Sequence, residues 1–249
     1  MAQPVEPATF EAASGGFLAG RPAFVRWCRP PRVGFAEASD LRWELLRTVA
    51  HRDHLQPADL LPGARSVVAW FLPFRTRLVE DNRGGAWATA DWAAAYVQVN
   101  ELLAETTAWA TDWLADRGFR AAVDPPTGRF DRERLVAPWS HKHAAWVCGL
   151  GTFGRHAQLI SADGPAGRCV SLVTDAAFPP SPAVVGERCL SRSGGGCELC
   201  VDACPVAALA AQPFDRRTCW EHCRANAARR PDLPASQVCG KCAAACPAR

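Results

Sequence analysis

Apolar and polar positions recur along the chain in patterns that predict both helices and strands. The longest pattern is helical, because apolar residues return every three or four positions over 91–117 and Gly118 ends the run. An apolar run at Ser66–Pro73, bounded by proline and glycine, predicts a buried strand. The polar, glycine-containing segment 75–89 predicts a loop. Shorter patterns predict helices at 41–52 and 141–148 and strands at 157–160 and 169–174.

The composition of the segment after these elements predicts a domain boundary. Residues 1–182 are expected to form an α+β domain that binds a cofactor and a substrate. A linker rich in proline and glycine then leads into residues 183–249, which are expected to form a small cysteine-rich domain. A chain of 249 residues has room for one sizeable domain and a small appended one.

The overall composition is that of an ordinary soluble protein, with 49% hydrophobic and 21% charged residues. The formal net charge of +3 lacks the strongly basic character typical of nucleic-acid-binding domains. We find no basic start followed by an apolar stretch that would indicate export, and the apolar runs are too short to cross a bilayer. A cytoplasmic protein without a membrane partner is therefore expected.

Cysteines are the unusual feature of the composition. The chain has twelve, of which nine crowd between Cys189 and Cys246. In a cytosolic chain such crowding favours metal binding over disulfides. The other three lie far apart and are predicted to be buried thiols: Cys28, Cys148 and Cys169.

Two segments of the crowded region share one motif, CxxCxxxCP, which begins at Cys197 and again at Cys239. In two-cluster ferredoxins the cysteine before the proline binds the cluster of the other motif. The doubled motif therefore predicts two [4Fe–4S] clusters, with a Zn(Cys)4 site as the main alternative and a disulfide scaffold as a third. Crossed ligation gives the first cluster Cys197, Cys200 and Cys246, and the second cluster Cys239, Cys242 and Cys204.

Each predicted cluster still needs a fourth ligand. For the second cluster the candidate is Cys219, with Cys223 one helical turn later as its competitor. For the first cluster, the position three residues before Cys197 is Gly194, so Cys189 is the predicted substitute. The intervening loop contains the glycines needed to bend back. The alternative is an open cluster with one iron free for a small ligand.

Together with the cysteines, three further segments resemble the epoxyqueuosine reductase family, which is related to reductive dehalogenases and cobalamin-processing proteins. The most specific is 142–154, KHAAWVCGLGTFG, which is similar to a Gly-Leu-Gly segment of that family. The other two are 54–66, HLQPADLLPGARS, and 167–175, GRCVSLVTD. The resemblance covers most of the chain, but only the cysteine pattern and the Gly-Leu-Gly segment are specific.

The resemblance implies a flavin-reductase-like α/β domain that holds base-off cobalamin, followed by a ferredoxin-like domain with two [4Fe–4S] clusters. Such a protein would take electrons from an external low-potential donor of the ferredoxin or flavodoxin type. It would pass them singly to cobalt and so reduce a small-molecule or nucleoside substrate. One alternative is an electron-transfer or corrinoid-reducing protein without substrate chemistry of its own. Another is a flavin-dependent reductase, flavin being the less expected cofactor.

The resemblance also implies candidate site residues. The family has Asp-Tyr-His at the start of the long helix where this chain has Asp91-Trp92-Ala93, so Asp91 is the candidate general acid and a helix cap is its alternative role. Ahead of the Gly-Leu-Gly segment lie three polar residues that would line the cofactor cavity or simply form the first turn of a helix: His141, Lys142 and His143. Three glycines would let the backbone approach a flat cofactor, or would form a tight turn: Gly149, Gly151 and Gly154.

The tRNA-modifying members of that family continue into a helical domain that binds tRNA. This chain ends shortly after Pro247 and therefore resembles a short form without that domain. On this ground intact tRNA is expected to be a doubtful substrate.

Overall fold

The computed structural model describes residues 5–125, 129–210 and 213–248. The strands in this part of the chain are β1 (Arg32–Glu37), β2 (Ser66–Pro73), β3 (Ala121–Ala122), β4 (Thr152–Phe153), β5 (Leu159–Ile160) and β6 (Gly167–Thr174). The helices are α1 (Pro7–Ala19), α2 (Pro22–Trp27), α3 (Arg42–Val49), α4 (Pro57–Leu60), α5 (Thr76–Asp81), α6 (Ala90–Ala115), α7 (His141–Val147), α8 (Leu199–Asp202), α9 (Arg216–Ala228) and α10 (Lys241–Ala245).

An antiparallel sheet in the order β1-β2-β6-β3 forms the centre of the fold. Every residue of the central strand β2 is buried, because both faces of the sheet are covered. Successive side chains of a strand point to opposite faces. Accordingly Trp70 packs in the apolar core with α1 and α6, while Val67 packs in the core on the other face with α3 and α7. A separate two-stranded hairpin pairs β4 with β5.

The long helix α6 begins and ends with clear capping signals. The Thr89 hydroxyl accepts the backbone N–H of Trp92 at 3.3 Å, so Thr89 is the cap at the N-terminus. Gly118 follows the last turn with a positive φ of 82°, a conformation that favours glycine. The apolar stripe of α6 is buried against β6, α1 and α2.

The mixed α and β class predicted from the sequence is confirmed, and so are most of its elements. The predicted strand Ser66–Pro73 has the bounds of β2, and the helix predicted over 91–117 is α6. The loop predicted over 75–89 is wrong in its first part, where α5 forms a helix of six residues. The strand predicted from 157 begins only at Leu159, because Ala157 adopts a positive φ of 57°. The sequence patterns did not indicate α1, α2 or β1.

The C-terminal segment packs on α6 and on the loop before it. The Lys241 side chain is completely buried, and its ammonium group donates to the carbonyl of Asn82 at 3.0 Å. The amide of Asn82 in turn donates to the carbonyl of Cys239 at 3.0 Å. A side-chain carbon added at Gly240 would lie 2.2 Å from the ring of Trp92, so only glycine fits there. None of the helices in the described part combines the length and the apolar character needed to cross a membrane.

Candidate cofactor site

Four cysteines gather round one small cavity, and we call them the first cysteine group: Cys189, Cys197, Cys200 and Cys246. The helices that carry the two motifs, α8 and α10, pack on one another and bring these residues together. Burial raises the pKa of the Cys200 thiol to about 11, with further contributions from Cys246, Cys189 and Cys197. The structure thus brings Cys246 from the second motif to the first one, as crossed ligation requires. That these thiols bind iron stays a prediction.

Cys189 enters this group through the loop that follows it. Gly194 and Gly196 adopt positive φ angles of 89° and 64°, which turn the chain back toward Cys197. The backbone N–H of Arg155 donates to Sγ of Cys189 at 3.4 Å. The position of Cys189 therefore matches that of a fourth ligand of the first cluster.

Five cysteines line a larger cavity, and we call them the second cysteine group: Cys204, Cys219, Cys223, Cys239 and Cys242. Burial raises the pKa of Cys242, and neighbouring thiols of both motifs raise it further. Cys204 belongs to the first motif but lies with the cysteines of the second. The crossing is therefore reciprocal, and this group holds one cysteine more than a cubane cluster with four thiolate ligands requires.

Helix α9 places Cys219 and Cys223 one turn apart. The Asp215 carboxylate caps this helix by accepting the backbone N–H of Thr218 at 3.0 Å, so Cys219 lies in the first turn. The two thiols interact, so that the pKa of Cys219 is lowered and that of Cys223 is raised. Both thiols line the cavity, and the choice of Cys219 over Cys223 as the fourth ligand stays a prediction.

Within the described residues, no three or more His, Cys, Asp or Glu side chains are arranged to hold one metal ion. A cubane cluster is a larger body, in which each of four thiolates binds a different iron atom. The test of fit for a cluster is therefore a ring of four thiols round a cavity. Both cysteine groups meet this test with the donor chemistry that iron–sulfur clusters require.

The first turn of α7 forms the wall of a second region, which we call the α7 cavity. His141 and Lys142 both line it. The backbone N–H of Ser171 donates to Nδ1 of His141 at 3.1 Å, and burial lowers the pKa of this histidine to about 4. The neutral ring therefore carries its proton on Nε2, which is buried near the backbone carbonyl of Asp124 but makes no hydrogen bond of normal geometry.

Lys142 lines the α7 cavity and interacts electrostatically with cysteines of the second group. Its ammonium group donates to the carbonyl of Ala157 at 2.8 Å. Burial lowers the pKa of Lys142 to about 8, and Arg216 lowers it further, whereas Cys169, Cys242 and Cys219 act in the opposite direction. Lys142 is thus a cation whose charge disappears within the ordinary pH range.

The α7 cavity and the cavity of the second cysteine group adjoin, because both are lined by Gln158, Pro165, Gly167 and Arg168. Their volumes are about 210 and 240 Å³ respectively. Each is smaller than the roughly 300–1,000 Å³ of a typical pocket for a small molecule. Together they form one continuous space, with the second cysteine group at one end and α7 at the other.

Other predicted residues lie outside these cavities. His143 contacts the ring of Phe153 at 4.5 Å and the hydroxyl of Ser140 at 2.7 Å, and it lines neither cavity. The three predicted glycines are close to the protein's own atoms. An added carbon would lie 2.4 Å from Pro182 at Gly149, 2.2 Å from Ile160 at Gly151 and 2.5 Å from His156 at Gly154. This packing favours the alternative that they form a tight turn, although contact with a cofactor stays a prediction.

Asp91 lies in the first turn of α6, and its side chain is 64% exposed. Its nearest cation is the guanidinium of Arg26, at 4.0 Å. Thr89 rather than Asp91 caps the helix. The neighbouring Trp92 and Tyr96 line the cavity of the second cysteine group, whereas Asp91 does not. Its role as a general acid stays a prediction.

The isolated cysteines divide into two kinds. Cys28 and Cys148 are buried, and burial raises the pKa of both thiols. Cys169 is only half-buried and lines the α7 cavity beside Lys142. Sequence reasoning also missed His156, which lies between the two cysteine groups. A single histidine in a loop carries no pattern, so only the fold reveals its position.

Two curated relatives illustrate the similarity of this chain to known proteins. The epoxyqueuosine reductase of Bacillus cereus is 27% identical over 204 residues, which are 72% of this chain and 48% of that protein. The epoxyqueuosine reductase of Synechococcus is 28% identical over 220 residues, which are 85% of this chain and 58% of that protein. The chain therefore spans about half the length of the curated relatives it matches. No family model matches the chain.

Solved structures support the fold. A crystal structure of epoxyqueuosine reductase with an epoxyqueuosine-modified tRNA-Tyr stem loop has a TM-score of 0.55 at 18% identity, covering 95% of this chain and 65% of that one. A reductive dehalogenase described for B12-dependent dehalogenation has a TM-score of 0.50 at 17% identity, covering 71% of this chain and 23% of that one. The resemblance to epoxyqueuosine reductases predicted from the sequence is thus confirmed, at 27–29% identity over most of the chain.

Proposed function

We propose that this chain is an oxidoreductase that carries two [4Fe–4S] clusters and cobalamin, and that it reduces a small-molecule or nucleoside substrate. One observation carries the proposal: the second cysteine group lines a cavity that adjoins the α7 cavity. A donor of single electrons would thus lie directly beside a space for a large cofactor. The sequence similarity to epoxyqueuosine reductases supports the reductase class.

The two cysteine groups would hold the clusters. The first takes Cys189, Cys197, Cys200 and Cys246, and the second takes Cys204, Cys219, Cys239 and Cys242. Four thiolates round each cubane, with one cysteine exchanged between motifs, is the arrangement of two-cluster ferredoxins. In this proposal residues 183–249 are the ferredoxin-like domain, residues 1–182 are the flavin-reductase-like domain, and the clusters supply one electron at a time.

Cobalamin would lie across the adjoining cavities, where it would supply a reducing cobalt centre for the substrate. His141 lines the α7 cavity, and Lys142 offers a positive charge that is lost as the pH rises past its pKa of about 8. Arg168 lines both cavities, and Asn100 holds its guanidinium by accepting a hydrogen bond of 2.9 Å. These side chains would orient the cofactor and neutralise negative charge on it.

The substrate is the open part of the proposal. The sequence led us to doubt intact tRNA, but the comparisons give that doubt no support, because one structural neighbour was solved with a modified tRNA stem loop. A tRNA substrate is therefore the second candidate. Turnover assays on epoxyqueuosine nucleoside and on a tRNA stem loop that carries epoxyqueuosine distinguish the two candidate substrates. At low enzyme concentration, reduction of the nucleoside alone supports a small substrate, and reduction of the stem loop alone supports tRNA.

Anaerobic reconstitution tests the cofactors directly. We expect about eight iron atoms and eight acid-labile sulfides per chain, because each cubane contains four of each. Added cobalamin should then bind and shift its visible spectrum to the base-off form. Zinc without sulfide would overturn the clusters. Flavin released on denaturation, with no cobalamin binding, would favour a flavin-dependent reductase instead.

A matched pair of variants tests the ligand assignment in the second cysteine group. Cys219→Ser should lower the iron content to about half, whereas Cys223→Ser should leave it unchanged, because the proposal assigns Cys219 as the fourth ligand of the second cluster and leaves Cys223 as the surplus thiol. The reverse result would assign Cys223 as the ligand. Equal retention of iron in both variants would show that neither residue is required.

One outcome would support the alternative of an electron carrier. A protein that holds both clusters, accepts electrons from a ferredoxin or flavodoxin and binds neither cobalamin nor flavin has no place for substrate chemistry of its own. In that case the reduced protein should transfer its electrons to a corrinoid held by a partner protein.

A further inference from the structure

His156 lies at the meeting point of the two cysteine groups. It lines the small cavity of the first group and also the cavity of the second. Its side chain is 2% exposed, although it belongs to the short loop between β4 and β5 in the main part of the fold. This loop inserts a single histidine among nine cysteines.

The hydrogen bonds of His156 fix which ring nitrogen carries the proton. The backbone N–H of Gln158 donates to Nδ1 at 3.1 Å, so Nδ1 is an acceptor and a neutral ring carries its proton on Nε2. This Nε2–H group is completely buried and has no partner in the described part of the chain. A buried N–H donor without a partner is unfavourable unless a bound group accepts its hydrogen bond.

The loop is built to hold the ring in this position. A side-chain carbon added at Gly154 would lie 2.5 Å from the His156 ring, so the absence of a side chain at Gly154 leaves space for that ring. Ala157 adopts a left-handed φ of 57°, a strained conformation for a residue with a side chain, and the ammonium group of Lys142 bonds its carbonyl at 2.8 Å. Immediately before His156, the backbone N–H of Arg155 donates to the sulfur of Cys189 at 3.4 Å. The loop therefore faces the first cysteine group.

We propose that His156 donates its Nε2–H hydrogen bond to a sulfur atom of the cluster held by the first cysteine group, and thereby raises the reduction potential of that cluster. This inference rests on the proposed presence of the clusters. His156 is a positioning residue in this role, since it neither binds iron nor contacts the substrate.

The direction of the effect follows from charge. Reduction adds one negative charge to the cluster, and a hydrogen bond to sulfur stabilises the more negative state. Loss of the donor should therefore make reduction of the first cluster less favourable by about tenfold, which is about 59 mV for a one-electron couple. The second cluster should change much less, because the single Nε2–H donor is used by a sulfur of the first cluster.

Three variants of the reconstituted protein test this inference by a potentiometric titration followed by electron paramagnetic resonance. His156→Phe removes the donor, while His156→Gln keeps an N–H donor of similar reach. His222→Phe is the matched control, because His222 is also buried beside the cysteines but its Nε2 bonds the carbonyl of Ala86 at 3.0 Å. The altered signal of Cys197→Ser identifies the wave of the first cluster.

We expect the reduction potential of the first cluster to fall in His156→Phe and to recover by at least half of that fall in His156→Gln. In His222→Phe this potential should stay unchanged. An unchanged first wave in His156→Phe, or equal shifts of both waves, would overturn the role of His156. If His156→Phe fails to incorporate a cluster, pulsed resonance on wild-type protein labelled with ¹⁵N-histidine decides, since the hydrogen bond requires a nitrogen coupling to the reduced first cluster. Absence of iron from the wild-type protein would instead refute the proposed function.

Discussion

The pH dependence of stability should depend strongly on one buried histidine, His54. Its side chain is 1% exposed, and Nδ1 donates to the carbonyl of Leu55 at 2.7 Å. Nε2 accepts the backbone N–H of Ser140 at 3.1 Å, and Ser140 occupies the cap position of α7. Both nitrogens are therefore used by the neutral ring, and protonation of Nε2 would break the bond to Ser140. Burial accordingly lowers the pKa of His54 to about 4.

The magnitude follows from the difference between the folded and unfolded pKa values. Below the unfolded value of about 6.5, the unfolded chain binds a proton that the folded chain does not, so stability falls as the pH falls. Between pH 7 and 5.5, His54 alone should lower the free energy of unfolding by about 1 kcal/mol. The loss grows to about 3 kcal/mol by the folded pKa of about 4 and is complete only below it.

Urea unfolding of the wild-type protein and of His54→Gln at pH 7 and at pH 5.5 measures this contribution. Glutamine does not titrate, so the variant should lose about 1 kcal/mol less than the wild type on acidification, while contributions from other groups cancel in the difference. An equal loss in both proteins, or a pKa of His54 above 6 by NMR, would refute the reasoning. Because Ser140 begins the helix that carries His141 and Lys142, acid should loosen the cavity wall.

Three further predictions concern Gly240, Ala157 and Asp91. Gly240→Ala should lower the free energy of unfolding by about 3 kcal/mol, because it combines a positive φ with a clash against Trp92. The control Gly186→Ala has a similar φ of 79° but open space around it, so it should cost about half as much. Equal losses in the two variants would contradict the clash. Ala157→Gly should raise the free energy of unfolding by roughly 0.5 kcal/mol in urea titrations by relieving a left-handed φ, whereas a decrease would show that the turn is unstrained. If Asp91 is the general acid, Asp91→Asn should lower turnover at least about a hundredfold with stability changed by less than about 0.5 kcal/mol, and full activity would remove that role.

The sequence predicted those parts of the fold whose pattern is long. Helix α6 repeats its apolar spacing over 26 residues, and β2 is a continuous apolar run, so both were recognisable. Helix α5 was missed because six residues give too few turns for a period to emerge. Strand β1 was missed because its glycine interrupts the apolar pattern; an added carbon there would lie 2.3 Å from the carbonyl of Cys148.

The candidate site divides in the same way. The repeated cysteine spacing predicted which thiols come together, and glycines in the loop after Cys189 indicated that it could reach them. The relation of His156 to those thiols could not be predicted, because it depends on how the β4–β5 hairpin packs against a segment distant in sequence. The exposure of Asp91 likewise depends on the rotation of α6 about its axis, which a single aspartate does not reveal.

The exchange of Cys204 and Cys246 between the two motifs has a consequence for how the protein matures. Neither cysteine group is complete until both motifs are folded, because the first group takes Cys246 from the second motif and the second group takes Cys204 from the first. Both sites therefore depend on the same packing of α8 against α10. A variant that separates these two helices should lose the capacity to hold either cluster, whereas loss of a single ligand should empty only the site to which that ligand belongs.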